Sequence, residues 1–129
     1  MSTKPEFKNC EALGIPKLPL SHAASAGNLT YLSGQFAVSP ETGKLVDGGL
    51  EAQTRQTFSN IATTLQDLGC SFADVIKTTV YLRDMADFPE MNEIYGSYFT
   101  EGYPARTTVA VVGLPMDARI EIEMIVSTP

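Results

Sequence analysis

The chain has no tryptophan, one histidine, two cysteines, and nine lysines and arginines against fifteen acidic residues. Each shortage removes a class of function. The single histidine, His22, has no second histidine or cysteine near it in sequence, so no metal is expected. Cys10 and Cys70 lack metal-ligand spacing, are too few for a disulfide framework, and read as reduced thiols. The net charge of −6 and the scattered basic residues remove the counterion-release force behind non-specific nucleic-acid binding, which disfavours nucleic acid as the main ligand. Apolar runs such as residues 107–112 fall far short of the ~20 residues needed to cross a bilayer, so no membrane association is expected. Residues 1–9 carry Lys4, Glu6 and Lys8 and no apolar signal core, so a cytoplasmic location is expected. There is no phosphate loop, dinucleotide fingerprint or hydrolase triad.

Hydrophobic residues fill 43% of the 129 positions and charged residues 19%, which fits one domain over residues 1–129. At this length roughly two thirds of the unfolded surface can be buried. Short apolar segments at 23–26 and 29–33 flank Gly27-Asn28, a pair that accepts positive φ, and predict a β-hairpin. A second turn is expected at Ser39-Pro40-Glu41-Thr42-Gly43. Over residues 50–68, Phe58, Ile61, Ala62, Leu65 and Leu68 recur at helical spacing, with Gln53, Gln56, Asn60 and Gln66 outside and Gly69 as terminator.

Residues 75–82 alternate, placing Ile76, Thr78, Val80 and Leu82 on one side, and are rich in β-branched side chains, as a strand requires. Asp87 as N-cap, Pro89 in the first turn and Glu90 three residues on predict a second helix. Its buried face would carry Met91, Ile94, Tyr95, Tyr98 and Phe99. Two final strands at 107–112 and 119–126 complete the order βββαβαββ. On the last of these, Ile120, Ile122, Met124 and Val126 point one way, and Arg119, Glu121, Glu123 and Ile125 the other. The expected fold is α+β, a single mixed sheet with both helices on one face. The second face is too apolar for free solvent and predicts a homo-oligomer packed sheet to sheet.

The chemistry concentrates near the C-terminal end. Arg106 follows Pro104 and opens a β-branched strand, which suits a rigidly held carboxylate clamp. The alternative is an ion pair across the sheet with Glu121 or Glu123. Those two glutamates share a strand face, so in a dehydrated cleft one is expected to hold its proton more tightly and act as a proton shuttle. Ser33 could donate a hydrogen bond but has no base beside it in sequence.

Tyr31-Leu32-Ser33-Gly34-Gln35, Asp74-Val75-Ile76-Lys77-Thr78-Thr79-Val80, Met91-Asn92, Tyr98-Phe99, Pro104-Ala105-Arg106 and Ile120-Glu121-Ile122-Glu123, in this order, resemble the Rid family of reactive-intermediate deaminases, also called the endoribonuclease L-PSP family. The resemblance implies a chorismate-mutase-like fold and a homotrimer whose sheets form a central barrel, with ligand clefts between subunits. It also implies hydrolysis of 2-imino or 2-enamino acids, including 2-iminobutanoate, 2-iminopropanoate and 2-aminoacrylate, to 2-oxo acids and ammonia without a cofactor. By the same resemblance Arg106 would hold the substrate carboxylate and Glu121 would activate water. Ser33, Asn92 and Leu20 would line the cleft, with the main chain of Thr108 touching ligand. Leu20 stands where the family often has tyrosine and Thr108 where it often has cysteine, and His22 is a candidate substitute for the lost hydroxyl. The competing readings are an endoribonuclease acting as translation inhibitor, and a non-enzymatic 2-oxo-acid-binding protein or chaperone.

Overall fold

The computed structural model describes residues 4–129. Strands β1 (Glu6–Lys8), β2 (Ala23–Ala26) and β3 (Leu29–Phe36) precede helix α1 (Gly49–Asp67); β4 (Val75–Leu82), helix α2 (Phe88–Gly96), β5 (Ala105–Ala110) and β6 (Ile120–Ser127) follow. This is the expected order, with the third N-terminal strand lying ahead of the hairpin. The hairpin turns where expected, Gly27 adopting φ 61°. The strands form one sheet in the order β1-β2-β3-β6-β4-β5. Every pairing is antiparallel except β4 with β5, which the crossover through α2 makes parallel. No helix among the described residues is long and apolar enough to cross a membrane.

The strand pleat sets one face of the sheet against the helices. Val80, Leu82, Ile120, Ile122, Met124 and Val126 are buried there against Phe58, Ile61 and Leu65 of α1 and Met91 and Tyr95 of α2. Phe58 is the hub of this layer, with its ring stacked on Tyr98 at 4.0 Å and meeting Tyr95 and Phe99 edge-on at 5.8 and 6.2 Å. Tyr98 and Phe99 therefore pack as expected, but from beyond the end of α2.

Several sequence expectations are corrected. Gln53 and Asn60 are buried, because α1 uses them to satisfy irregular backbone at the sheet ends. The Gln53 side-chain oxygen accepts from the Arg119 N–H at 2.8 Å, and the Asn60 amide donates to Phe36 and Val38 carbonyls at 3.3 and 2.9 Å. Ile76 is 46% exposed while Val75 is buried. A register shift between Val75 and Lys77 inserts an extra residue there and reverses the facing of Ile76. Asp87 makes no cap hydrogen bond; its carboxylate accepts from Arg119, with the closest contact 2.8 Å, so Arg119 leaves the open face and ties the start of β6 to α2.

His22 is also a structural residue. Its Nδ1 accepts from the Cys10 N–H at 2.8 Å while its backbone N–H donates to the Asn9 side-chain oxygen at 3.1 Å, so it anchors the segment after β1 to the sheet. An accepting Nδ1 must be unprotonated, and burial holds the imidazole pKa below its ordinary value.

Two measurements check this packing. Phe58→Ala should lower the urea-unfolding free energy by about 3–5 kcal/mol, since it empties a fully buried aromatic site. As pH falls below about 6.5, the unfolded chain binds the His22 proton and the folded chain resists it, so stability is lost on acidification. His22→Gln should flatten that dependence between pH 7.5 and 5.5, read as the difference in urea midpoint from the parent protein.

Candidate active site

Arg106 is opposite Thr78 in the β4–β5 ladder, on the helix face of the sheet. Thr78 is fully buried and its hydroxyl is hydrogen-bonded to the Tyr95 hydroxyl at 2.7 Å, which locks the Tyr95 ring under the guanidinium. The guanidinium carbon lies 4.8 Å from the Tyr95 ring centre and 5.6 Å from that of Phe88. Such contacts hold a cation in place by about 0.5–2 kcal/mol while leaving its N–H fork available. Arg55, Arg83 and Arg119 are each paired with a carboxylate, whereas Arg106 has no ion pair among the described residues.

Around this guanidinium, Asn92, Tyr95, Gly96, Tyr103 and Pro104 enclose an open cavity of about 440 Å³. The Asn92 side-chain oxygen and the Thr108 hydroxyl are buried without a hydrogen-bond partner among the described residues. Because the Val111 N–H donates to the Leu82 carbonyl at 2.9 Å, strand alternation turns the N–H and C=O of Thr108 to the free edge of β5. The β5 edge thus gathers Arg106, Asn92 and Thr108.

Glu121 lies elsewhere. It is opposite Tyr81 on β4 and Phe36 on β3, on the open face of the sheet, so the expected alternative of an Arg106–glutamate pair across the sheet does not form. Its carboxylate rests on Gly34, where an added Cβ would come within 2.2 Å of Oε2. Burial, and secondarily the charge of Glu123, push its pKa above the usual carboxylate value. Mutual repulsion is the expected cause of a raised glutamate pKa; at Glu121 burial is the larger cause and the Glu123 charge the smaller. Glu123 differs in accepting a short hydrogen bond from the Tyr81 hydroxyl.

Ser33, next to Gly34, and Leu20 line a second open cavity of about 600 Å³ with Phe7, Leu18 and Tyr31. The Ser33 hydroxyl donates to the Ser21 carbonyl at 2.5 Å and its N–H donates to the His22 carbonyl at 2.9 Å, so Ser33 braces the Leu20 loop. His22 does not line this cavity and cannot replace a cleft hydroxyl there.

The six residues singled out from sequence therefore fall into two groups, Arg106, Asn92 and Thr108 at the β5 edge, and Glu121, Ser33 and Leu20 on or beside the open face. One chain does not bring them together. Sequence reasoning missed the ring platform and the seat at Gly34. The seven-residue spacing of Phe88 and Tyr95, which puts both on one helix face, was the available signal for the platform.

The endoribonuclease L-PSP family model matches residues 13–128. A RutC family protein of Pyrococcus horikoshii is 50% identical over 107 residues, covering 83% of this chain and 85% of its own. The human 2-iminobutanoate/2-iminopropanoate deaminase is 42% identical over 107 residues, with 83% and 78% covered. Among solved structures, YEO7 of yeast superposes with a TM-score of 0.92 at 34% identity over 98% of this chain and all of its own. TdcF of E. coli, solved with bound serine, gives 0.88 at 31% identity, with 96% and 99% covered. With this fold, these motifs and these relatives, the chain belongs to the Rid, or endoribonuclease L-PSP, family.

Proposed function

We propose that the protein is an imine deaminase that hydrolyses 2-imino acids such as 2-iminobutanoate and 2-iminopropanoate, with their enamine tautomers, to 2-oxo acids and ammonia. The observation that carries the reading is the ring-mounted guanidinium of Arg106, without an ion pair among the described residues, facing a cavity that Asn92 also lines. A 2-imino acid presents a planar carboxylate to that fork, and the free Thr108 N–H and the Asn92 amide supply further polar contacts.

The other half of the chemistry needs a proton carrier. An iminium carbon is already electrophilic, so the protein has to position water and move protons. Water adds to C2 as Glu121 takes its proton, giving a carbinolamine. Glu121 then returns the proton to nitrogen; as the C–N bond breaks, the C2 hydroxyl gives its proton to the Glu121 carboxylate, the carbonyl forms, and ammonia leaves, taking that proton as ammonium. A carboxyl whose burial raises its affinity for protons is suited to both steps.

Because Arg106 and Glu121 occupy opposite faces of one sheet, a complete site forms when the β5 edge of one copy meets the Glu121 and Leu20 surface of the next. A closed ring of such contacts satisfies every copy and leaves none unpaired, and with the three copies that the family resemblance implies the site lies between subunits of a homotrimer. Related proteins named as imine deaminases favour the same reading.

Arg106→Ala removes two charge-assisted hydrogen bonds and should lower kcat/KM by roughly 10²–10⁴, measured as ammonia released from freshly generated imino acids. Full activity in that variant would end the clamp assignment. Glu121→Gln should also lose activity, while refolding it together with Arg106→Ala should restore about a quarter of the sites, because each site then draws its intact residues from two different copies. No recovery on mixing would place both residues in one chain's site and overturn the shared cleft.

A further inference from the structure

Glu121 and Glu123 stand side by side on β6, yet their surroundings differ. Tyr81 lies opposite Glu121 in the β4–β6 ladder, but its hydroxyl passes that neighbour and donates to Oε1 of Glu123, which sits opposite Thr79. Glu121 has no hydrogen-bond donor among the described contacts and is pressed onto the Gly34 backbone. A donor stabilises an anion, and dehydration beside a second carboxylate destabilises one. The Tyr81 ring therefore separates two chemically identical groups.

We propose that Tyr81 is a positioning residue for the reaction: by donating to Glu123 it occupies that carboxylate and leaves Glu121, lying on Gly34, as the member of the pair that exchanges the proton. This rests on the deaminase reading only for its catalytic consequence. The hydrogen bond, burial, and the charges of Glu123 and Glu121 push the Tyr81 phenol up to about 12, so it remains a donor through the physiological range.

Among the described residues, no other ionisable group near the pair is placed to do this. From β4, the Lys77 ammonium is bound to the Thr78 carbonyl at 3.0 Å and to the Thr79 and Thr107 hydroxyls at 3.2 Å. From β3, Tyr31 sits opposite Ile125, two residues beyond Glu123, and the residues nearest Glu121 are Gly34 and Phe36. From β5, Thr107 and Val109 share the open face and carry no charge, while Arg106 faces the helices. The role falls to the phenol.

The test follows the glutamate carboxyls by carbon-13 NMR titration, assigned with Glu121→Gln and Glu123→Gln, alongside pH profiles of imine turnover. In Tyr81→Phe, which keeps the ring, the Glu121 carboxyl should respond over a broader pH range, as expected when two sites share a proton. In Glu123→Gln, Glu121 should titrate alone, with its midpoint at lower pH. The double variant should match Glu123→Gln, because Tyr81 acts only through Glu123. Where turnover is measurable, the acid limb of kcat should follow the Glu121 titration with KM little changed. An unchanged Glu121 titration in Tyr81→Phe would overturn the proposal. Redistributed protons without imine turnover in any form would support it and remove the deaminase reading instead.

Discussion

The two-residue period of the β-strand is the constraint on which this protein's chemistry depends. On β6 it sends Ile120, Ile122, Met124 and Val126 into the helix-covered core, and thereby forces Glu121 and Glu123 onto the opposite face. On β5 the same pleat turns Arg106 toward α2. A cation and a carboxylate that would neutralise each other as cross-strand neighbours are kept apart by the sheet between them. Each remains available to something outside the chain, as the proposed shared site requires.

The packing around each group serves that separation. Tyr95 is held by Thr78, and its ring supports the Arg106 guanidinium without neutralising it. Asn60 ties the irregular end of β3 to α1 just beyond Gly34, the residue on which Glu121 rests. The buried polar groups of α1 thus fix the bulged part of β3, and through it the setting of the open-face carboxylate. Stability and function share these contacts: loosening the α1–β3 clip would disturb Glu121 from the far side of the sheet.

The parts of the fold legible in the sequence are those governed by local period. The hairpin at Gly27-Asn28, α1, β4 and the split faces of β6 all follow from spacing that neighbouring residues set by themselves. The misreadings have a common cause in long-range polar contact. Gln53 and Asn60 look like solvent-facing positions until distant backbone is found that needs them, and Asp87 looks like a helix cap until Arg119, 32 residues away, takes its carboxylate. Ile76 was misplaced by one inserted residue, which reverses facing without any mark in composition. At the site, the residue types could be read but their grouping could not. No spacing rule states that a guanidinium will find Phe88 and Tyr95, or that Gly34 is small because a glutamate lies across it.

The charge distribution separates the two activities attached to this family's names. Cleaving a polyanion requires a surface on which several cations remain free to replace counterions along the backbone. Here the acidic excess is general, with net charge −6, and Arg55, Arg83 and Arg119 are each engaged by a carboxylate. The Lys77 ammonium is bound among three oxygens. Arg106 has no ion pair among the described residues, and a guanidinium beside an open cavity can take a single carboxylate on a small molecule. A sheltered guanidinium on an acidic protein suits a ligand whose negative charge is compact and whose remainder is neutral or positive, and the proposed 2-iminium substrate has that form.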